Sequence, residues 1–382
     1  MAIFLIVVLA VLAGIHWFIY RRLAHGLSLG PAARRSLVAA LALGMVAFLL
    51  GEILHRRFGL PWLQFAGSVW LGTAAILFST LLPEWALSSV FPGARGTLVR
   101  LAAILALVLS AVSLWRGLAV PRVREVELAA DFLPEASPRY TVVQLSDLHL
   151  DGMVSERRLR GFVDQVRDLA PDLIVITGDL FDGDVSRAGR YRDLLGRLRA
   201  RDGVVVIPGN HEYYAGIETL RLGAARFGWK MLRNSGFDVG PFYLAGLDDE
   251  AGQSFGFSGP RLDQALAGNR RKKPVLLLRH RPFGFAEARA AGVFLMLAGH
   301  THAGQIPPMD LLVRMSYRYP VGAHHLAGAT IVTSAGTGTW GPPMRLFSRS
   351  EIGRIVLLRR PGGGDRPASS RGPRTDPPAK GE

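Results

Sequence analysis

Met1 to Tyr20 carries no formal charge and stops abruptly at Arg21-Arg22. Three further apolar runs follow, over residues 37–51, 61–83 and 101–115, each bounded on at least one side by arginine or proline. A bilayer core takes about 20 apolar residues, with a lower limit of roughly 17. The first and third runs meet that length. The second and fourth meet it when flanking arginines such as Arg34, Arg35, Arg100 and Arg116 carry their charges out to the interface. Trp17, Tyr20, Trp62, Trp85 and Trp115 fall near run ends, where an aromatic belt would lie. A cleaved signal peptide would show a basic stretch before its apolar run, and no further runs after it. Residues 1–118 are therefore expected to form an all-α membrane anchor of about four transmembrane helices. Short core helices are the competing reading for the shorter runs.

Such a segment constrains where the rest of the chain lies. Four spans leave both ends on one side. Arg21, Arg22, Arg34 and Arg35 crowd the first loop, so counting positive charge places that loop in the cytoplasm and everything after Arg116 outside it. Arg116, Arg122 and Arg124 pull the other way. The expectation is a multi-pass membrane protein with everything after Arg116 on the extracytoplasmic side.

The apolar excess of the whole chain, 49% hydrophobic with a mean hydropathy of +0.24, is concentrated in those runs. The net charge of +15 is spread over membrane flanks, helices and tail, with no basic patch interleaved with aromatics, which argues against nucleic acid as a partner. There is no cysteine, so disulfides, thiolate metal ligands and thiol nucleophiles are excluded.

Residues 119–138, with prolines at 121, 134 and 138, read as a linker. From residue 139 to 360 the pattern changes. Short β-rich runs (YTVVQLS, LIVIT, VVVIP, FYLAG, VLLL, FLMLA, TIVTS, IVLL) alternate with amphipathic stretches such as ERRLRGFVDQVRDLA. This alternation predicts an α/β domain with helices covering one or two sheets. Residues 361–382 have almost no apolar side chains and read as a disordered tail.

Five of the β-rich runs end in polar clusters: Ser146-Asp147-Leu148-His149, Gly178-Asp179-Leu180-Phe181-Asp182, Gly209-Asn210-His211-Glu212, Arg279-His280, and the heptapeptide GHTHAGQ at 299–305. Taken singly, each reads as a turn, a helix cap or a satisfied histidine at least as readily as a site. Ligands of α/β proteins bind beyond the carboxyl ends of strands, so all five can meet in one crevice. That would gather Asp147, His149, Asp179, Asn210, His280, His300 and His302. Imidazole, carboxylate and amide oxygen suit Mn, Fe or Zn. These are too many ligands for one ion and fit two divalent ions sharing a bridge. A carboxylate is the natural bridge, and Asp179 lies midway in the order of motifs. Paired metals suit phosphoryl chemistry.

In order, DLH, GDLFD, GNHE, LRHRP and GHTHAGQ resemble the calcineurin-like metallophosphoesterase family over roughly residues 138–360, and most of all its membrane-associated bacterial branch with a GHTHxGQ block. The resemblance implies a two-sheet β-sandwich flanked by helices, here preceded by the all-α transmembrane region. It implies that Asp147, His149 and His302 hold one metal, that Asn210, His280 and His300 hold the other, and that Asp179 bridges. His211 would face the substrate as proton donor, and Asp182 would orient it. The implied activity is hydrolysis of phosphomonoesters or phosphodiesters by direct attack of water, with the anchor favouring a lipid-linked substrate. Two other readings stay open: a UDP-acyl-sugar pyrophosphatase of lipid A type synthesis, and a non-catalytic membrane protein that binds metal or phosphate. One departure is visible. Ser-Ala-Gly-Thr-Gly at 334–338 stands where the branch more usually has an arginine before the glycines.

Other polar residues have plainer expectations. Asp151 reads as a solvated loop carboxylate, His324-His325 as surface, and Asp248-Asp249 as a turn. Arg345 reads equally as a phosphate contact or a surface pair. Thr301 and Gln305 are expected to shape their loop through backbone hydrogen bonds. Glu52 is unusual for a membrane run.

Overall fold

A computed structural model describes residues 2–150, 154–182, 191–326 and 328–360. The expected disordered tail, Asp151 and the side chain of Glu52 lie outside the described residues. The chain divides into two compact units.

The first unit is built on four helices: α1 (Ala2–Gly26), α2 (Pro31–Phe58), α3 (Pro61–Val90) and α4 (Arg95–Leu118). All four are long and apolar enough to cross a membrane. Each apolar run continues as helix beyond its charge-free core, so that Arg34 and Arg35 lie in the first turns of α2, and Arg100 and Arg116 lie inside α4. Proline opens α2 and α3, where its missing N–H costs nothing. A core of Ile19, Leu41, Ala74, Leu81 and Val99 joins the helices. The acidic side chain that this unit buries is Glu84, which accepts from Arg22 Nη2 at 2.7 Å and Nε at 3.0 Å. Residues Gly304–Leu312 and Thr339–Arg349 belong to the same unit.

The second unit holds two six-stranded sheets. In the first the order is β1 (Arg122–Ala129), β12 (Glu351–Leu358), β2 (Arg139–Leu145), β3 (Leu173–Thr177), β4 (Val204–Ile207) and β5 (Lys230–Met231). The second runs β10 (Gly322–Leu326), β11 (Ala329–Thr333), β9 (Val293–Ala298), β8 (Val275–Leu278), β7 (Tyr243–Gly246) and β6 (Ser235–Asp238). Both sheets are mixed. Their inner faces interdigitate through Val142, Val175, Val205, Leu244, Leu276 and Leu297, residues buried because both faces of each central strand are covered. Helix α5 (Glu156–Asp168) lays Leu159, Phe162, Val163 and Val166 on the outer face of the first sheet. This is the helix-flanked two-sheet sandwich expected of the sequence.

Within the stretch expected as a linker, Arg122–Ala129 forms β1 and pairs in parallel with β12. The strand alternates charged and apolar residues at the sheet edge, where one side needs no partner, and its charged members guard that edge.

Five central strands set up the site. β2, β3 and β4 are parallel to each other, as are β8 and β9, so the loops after these strands emerge together. Gln144 ties the two sheets at this point, donating from Nε2 to Ala298 O at 2.9 Å and to Thr177 Oγ1 at 3.0 Å.

Candidate metal centre

Each strand-end loop is locked to its neighbour by backbone bonds. Asp147 N donates to Gly178 O at 3.1 Å, His149 N to Asp179 O at 3.0 Å and Gly299 N to His280 O at 2.8 Å. The turns are tight enough that five of the polar residues adopt left-handed backbone: Asp147 (φ 54°), His149 (49°), Asp179 (51°), His300 (70°) and His302 (49°). Such a conformation costs a non-glycine residue about 1–3 kcal/mol and persists where surrounding structure forces it, most often at functional sites. Two glycines make the close approach possible. A Cβ at Gly209 would lie 2.7 Å from Asp179 N, and one at Gly299 would lie 2.5 Å from Asp147 Oδ2.

The structure brings all seven candidate ligands together, in three overlapping groups, one of which is His149, Asp179 and His211. Asp147, His149 and His302 present atoms close enough to hold one ion, and Asp179, His280 and His300 do the same for another. In the first group His149 Nε2 faces His302 Nε2 at 3.0 Å, and His302 Nε2 lies 3.6 Å from Asp147 Oδ1. In the second, His280 Nε2 lies 3.2 Å from Asp179 Oδ2, from Asn210 Oδ1 and from His300 Nδ1. Asp179 Oδ2 is also 3.8 Å from His149 Nε2, so its carboxylate lies between the groups.

The donor set fits cations. His149 commits Nδ1–H to Asp182 Oδ1 at 2.6 Å, and His280 commits Nδ1–H to Thr177 O at 2.8 Å. In the neutral rings this leaves each Nε2 as a lone pair aimed at other acceptors. Lone pairs converging at such distances repel unless a proton or a metal ion lies among them. Burial disfavours charge on His149, but Asp182, Asp179 and Asp147 outweigh it and raise the ring to about 9. Burial likewise opposes charge on His280, and Asp179 and Asp147 overcome it to reach about 10. His300 goes the other way, driven far down by burial and by the positive charges of His280 and Arg281. Asp179 is held well below the usual carboxylate range because His280, His211 and His149 outweigh its burial. An anionic, nitrogen-rich pocket that raises its own histidines has a strong demand for positive charge.

His211 sits beside this pocket and, like His300, is half-buried, whereas the other candidate ligands are buried. Its backbone N donates to Asp179 Oδ1 at 3.0 Å, and its Nδ1 lies 2.8 Å from Asp182 Oδ1. One carboxylate oxygen thus orients both His149 and His211. The sequence pointed to His211 alone as its partner. His211 is raised because Asp182 and Asp179 outweigh burial, and the exposed ring of Tyr214 stands 5.5 Å from it.

Glu212 has a part that sequence reasoning did not single out. Fully buried, it accepts from Leu180 N (2.7 Å), Phe181 N (3.1 Å), Asp179 N (3.0 Å) and Gly209 N (2.7 Å). It therefore clamps the GDLFD loop to the GNHE loop. The available signal was its spacing: a glutamate three residues after Gly209 can reach back to the backbone N–H that opens the helix, which is half of a capping box. Thr337 and Gly338 were missed as well. Their N–H groups donate to Ser146 O at 2.7 Å and Asp147 O at 2.9 Å, so the SAGTG segment braces the DLH loop through backbone.

The remaining polar residues do structural work. Asp248 accepts from Tyr213 and Arg233, and Asp249 pairs with Arg281 at 3.0 Å while capping Ala251 N. These exceed the simple turn expected. On β10, His324 is half-buried and His325 is exposed, and they bond Val321 O and Thr330 Oγ1 at 3.0 Å. Arg345 is not on the surface. It is fully buried in the helical unit and donates to Ser348 Oγ at 3.1 Å. Thr301 Oγ1 donates to Pro320 O at 2.6 Å.

The family model for calcineurin-like phosphoesterases matches residues 140–304. A metallophosphoesterase of Aquifex aeolicus is 31% identical over 240 residues, covering 62% of this chain and 91% of that protein. The chain belongs to the calcineurin-like phosphoesterase family. A Danio rerio family member described as a transmembrane protein with metallophosphoesterase domain is 36% identical over 271 residues, which are 66% of this chain. The matched region spans 62% of the length of that Danio rerio relative. Among solved structures, a dimetal phosphatase from Danio rerio is similar at 16% identity and a TM-score of 0.37, covering 59% of this chain and all of its own.

Proposed function

We propose that the chain is a membrane-anchored, dinuclear metal-dependent phosphoesterase acting on phosphomonoesters or phosphodiesters. The observation that carries this reading is the convergence of lone pairs from five strand-end loops onto two adjacent points that share Asp179. Asp147, His149 and His302 would hold one ion, Asn210, His280 and His300 the other, with Asp179 between them. Ions there would polarise the phosphoryl oxygens and acidify the attacking water.

The chain's own groups do the rest. Asp182 fixes His211 through Nδ1, and Nε2 is the atom that would meet substrate. Asp182 and Asp179 outweigh burial and raise His211, which favours its protonated form, so Nε2–H would donate a proton to the departing ester oxygen. Glu212 holds the backbone on either side of Asp179 rigid. Four helices long and apolar enough to cross a membrane support action at a bilayer, and the Danio rerio relative joins the same two features by description. A lipid-linked phosphoester is the substrate class that such anchoring favours, and positive charge in the first loop favours an extracytoplasmic catalytic unit.

The test is a panel of aryl phosphates, phosphodiesters and lipid phosphoesters, run on metal-loaded and chelated full-length protein. Hydrolysis that requires metal and disappears in Asp179→Asn supports the reading. Wild-type protein that retains metal yet hydrolyses nothing in the panel contradicts it and leaves a binding module.

A further inference from the structure

The GHTHAGQ loop does not stay with the strands that launch it. From Gly304 to Leu312, and again from Thr339 to Arg349, the chain is part of the same compact unit as the four apolar helices. Ile306, Met344 and Leu346 pack into one cluster with Ile76 of α3 and Ala106 of α4. A side chain at Gly72 would collide with Met344 Sδ and Pro342, and one at Gly117 with Pro343. Gly72 and Ile76 lie about 16 and 22 Å along α3 from Pro61 at 1.5 Å per residue, far from either end of that helix.

Irregular backbone survives at such depth only where protein satisfies its polar groups. Here it is satisfied. Gln305 Nε2 donates to Trp340 O at 2.9 Å, while Gln305 Oε1 accepts from Trp340 N at 2.9 Å. Leu346 N donates to Gln305 O, and Arg345 N to Ser113 O, both at 2.8 Å. The glutamine that ends GHTHAGQ is thus the pin that joins the two segments.

Outside this pinned core the segments expose large apolar side chains, with the half-buried Asp310 between two of them. Met309, Leu311 and Leu312, in the helix Met309–Ser316, are 46%, 58% and 49% exposed. Trp340 and Phe347 on the other segment are 53% and 64% exposed. These values match Leu101 and Leu107 on α4, at 58% and 65%, which would face lipid in a spanning helix. Exposed Arg349 supplies a cation suited to a headgroup beside Phe347.

We propose that Gly304–Leu312 and Thr339–Arg349 are embedded in the bilayer, with Met309, Leu311, Leu312, Trp340 and Phe347 in contact with lipid. This rests on the reading of α1–α4 as membrane spans. The occupant of the face is the acyl region of the membrane itself, because the segments are continuous with helices whose own uncovered residues have no other partner of that chemistry.

The chain has no native cysteine, so single nitroxide labels can be placed without background. Full-length L311C, L312C and F347C are labelled and reconstituted in phosphatidylcholine–phosphatidylglycerol vesicles. L105C on α4 and R160C on α5 serve as lipid and water controls. Collision with oxygen relative to a water-soluble nickel chelate is expected to be several-fold higher at 311, 312 and 347 than at 160, and similar to 105. Water-like ratios at all three, with a lipid-like ratio at 105, overturn the proposal and leave the spans standing. A water-like ratio at 105 overturns the spans and the proposal together. Unsubstituted protein gives an independent check: a diazirine carried on an acyl chain should mark peptides from both segments as well as α1–α4. Adducts confined to α1–α4 would overturn the proposal.

Discussion

His149 Nε2 and His302 Nε2 face each other at 3.0 Å across 153 residues of sequence. His149 is fixed from behind by Asp182, and His302 Nε2 is also beside Asp147. The pair makes sense as two ligands awaiting one cation. The same holds for His280 and His300 at 3.2 Å.

Proton release follows from this arrangement. Without metal, His149 and His280 stand at about 9 and about 10, so both carry protons at neutral pH. A metal ion must displace them, whereas His300 is already neutral. Raised values mean that proton competition is strongest below them, so apparent metal affinity should climb as pH rises from neutrality. Calorimetric titration of metal-free protein in buffers of differing ionisation enthalpy should show about two protons released on filling the site at neutral pH. Metal binding with no proton release, or with pH-independent affinity, would contradict the assignment.

Removing His211 should separate chemistry from metal binding. His211→Ala keeps every candidate ligand and is expected to lower kcat about 10²–10⁴-fold, the usual range for general acid catalysis, with metal content unchanged. Asp182→Asn should disturb more, since it removes the acceptor of both His149 and His211. It should weaken metal binding as well as turnover. Equal metal loss in the two variants would sink the division of roles.

Glu212 is expected to behave as a structural clamp. Truncation to alanine leaves buried N–H groups of Asp179, Leu180, Phe181 and Gly209 without their acceptor, at about 1–3 kcal/mol for each orphan. Differential scanning calorimetry should show a fall of about 6 °C or more in the Tm of the sandwich unit. A Tm within about 2 °C of wild type would mean that the loops are held by something else.

What the sequence revealed and what it hid have physical causes. The strand-end clusters were readable because parallel strands must deliver their following loops to one edge, so order and spacing suffice to bring the histidines and aspartates together. The apolar helices were readable from length alone, although the helices run on through Arg34, Arg100 and Arg116 because backbone hydrogen bonding does not stop where charge begins. β1 was hidden by Arg122, Arg124, Glu125 and Glu127, residues that suit an edge strand and disguise it as a linker. Glu212 was hidden because a carboxylate that accepts only from backbone has no partner residue to be recognised by. The segments around Gln305 and Met344 were hidden for a similar reason. Their apolar residues lie in irregular chain with no period to reveal which face they present.

Metal content measured together with hydrolysis on purified full-length protein bears most directly on the dinuclear reading. Two divalent ions per chain are predicted for the wild type, with hydrolysis rising as the second ion binds and lost in Asp179→Asn, whose bridging carboxylate is gone. One ion per chain at saturation, or hydrolysis that survives complete chelation, would contradict it.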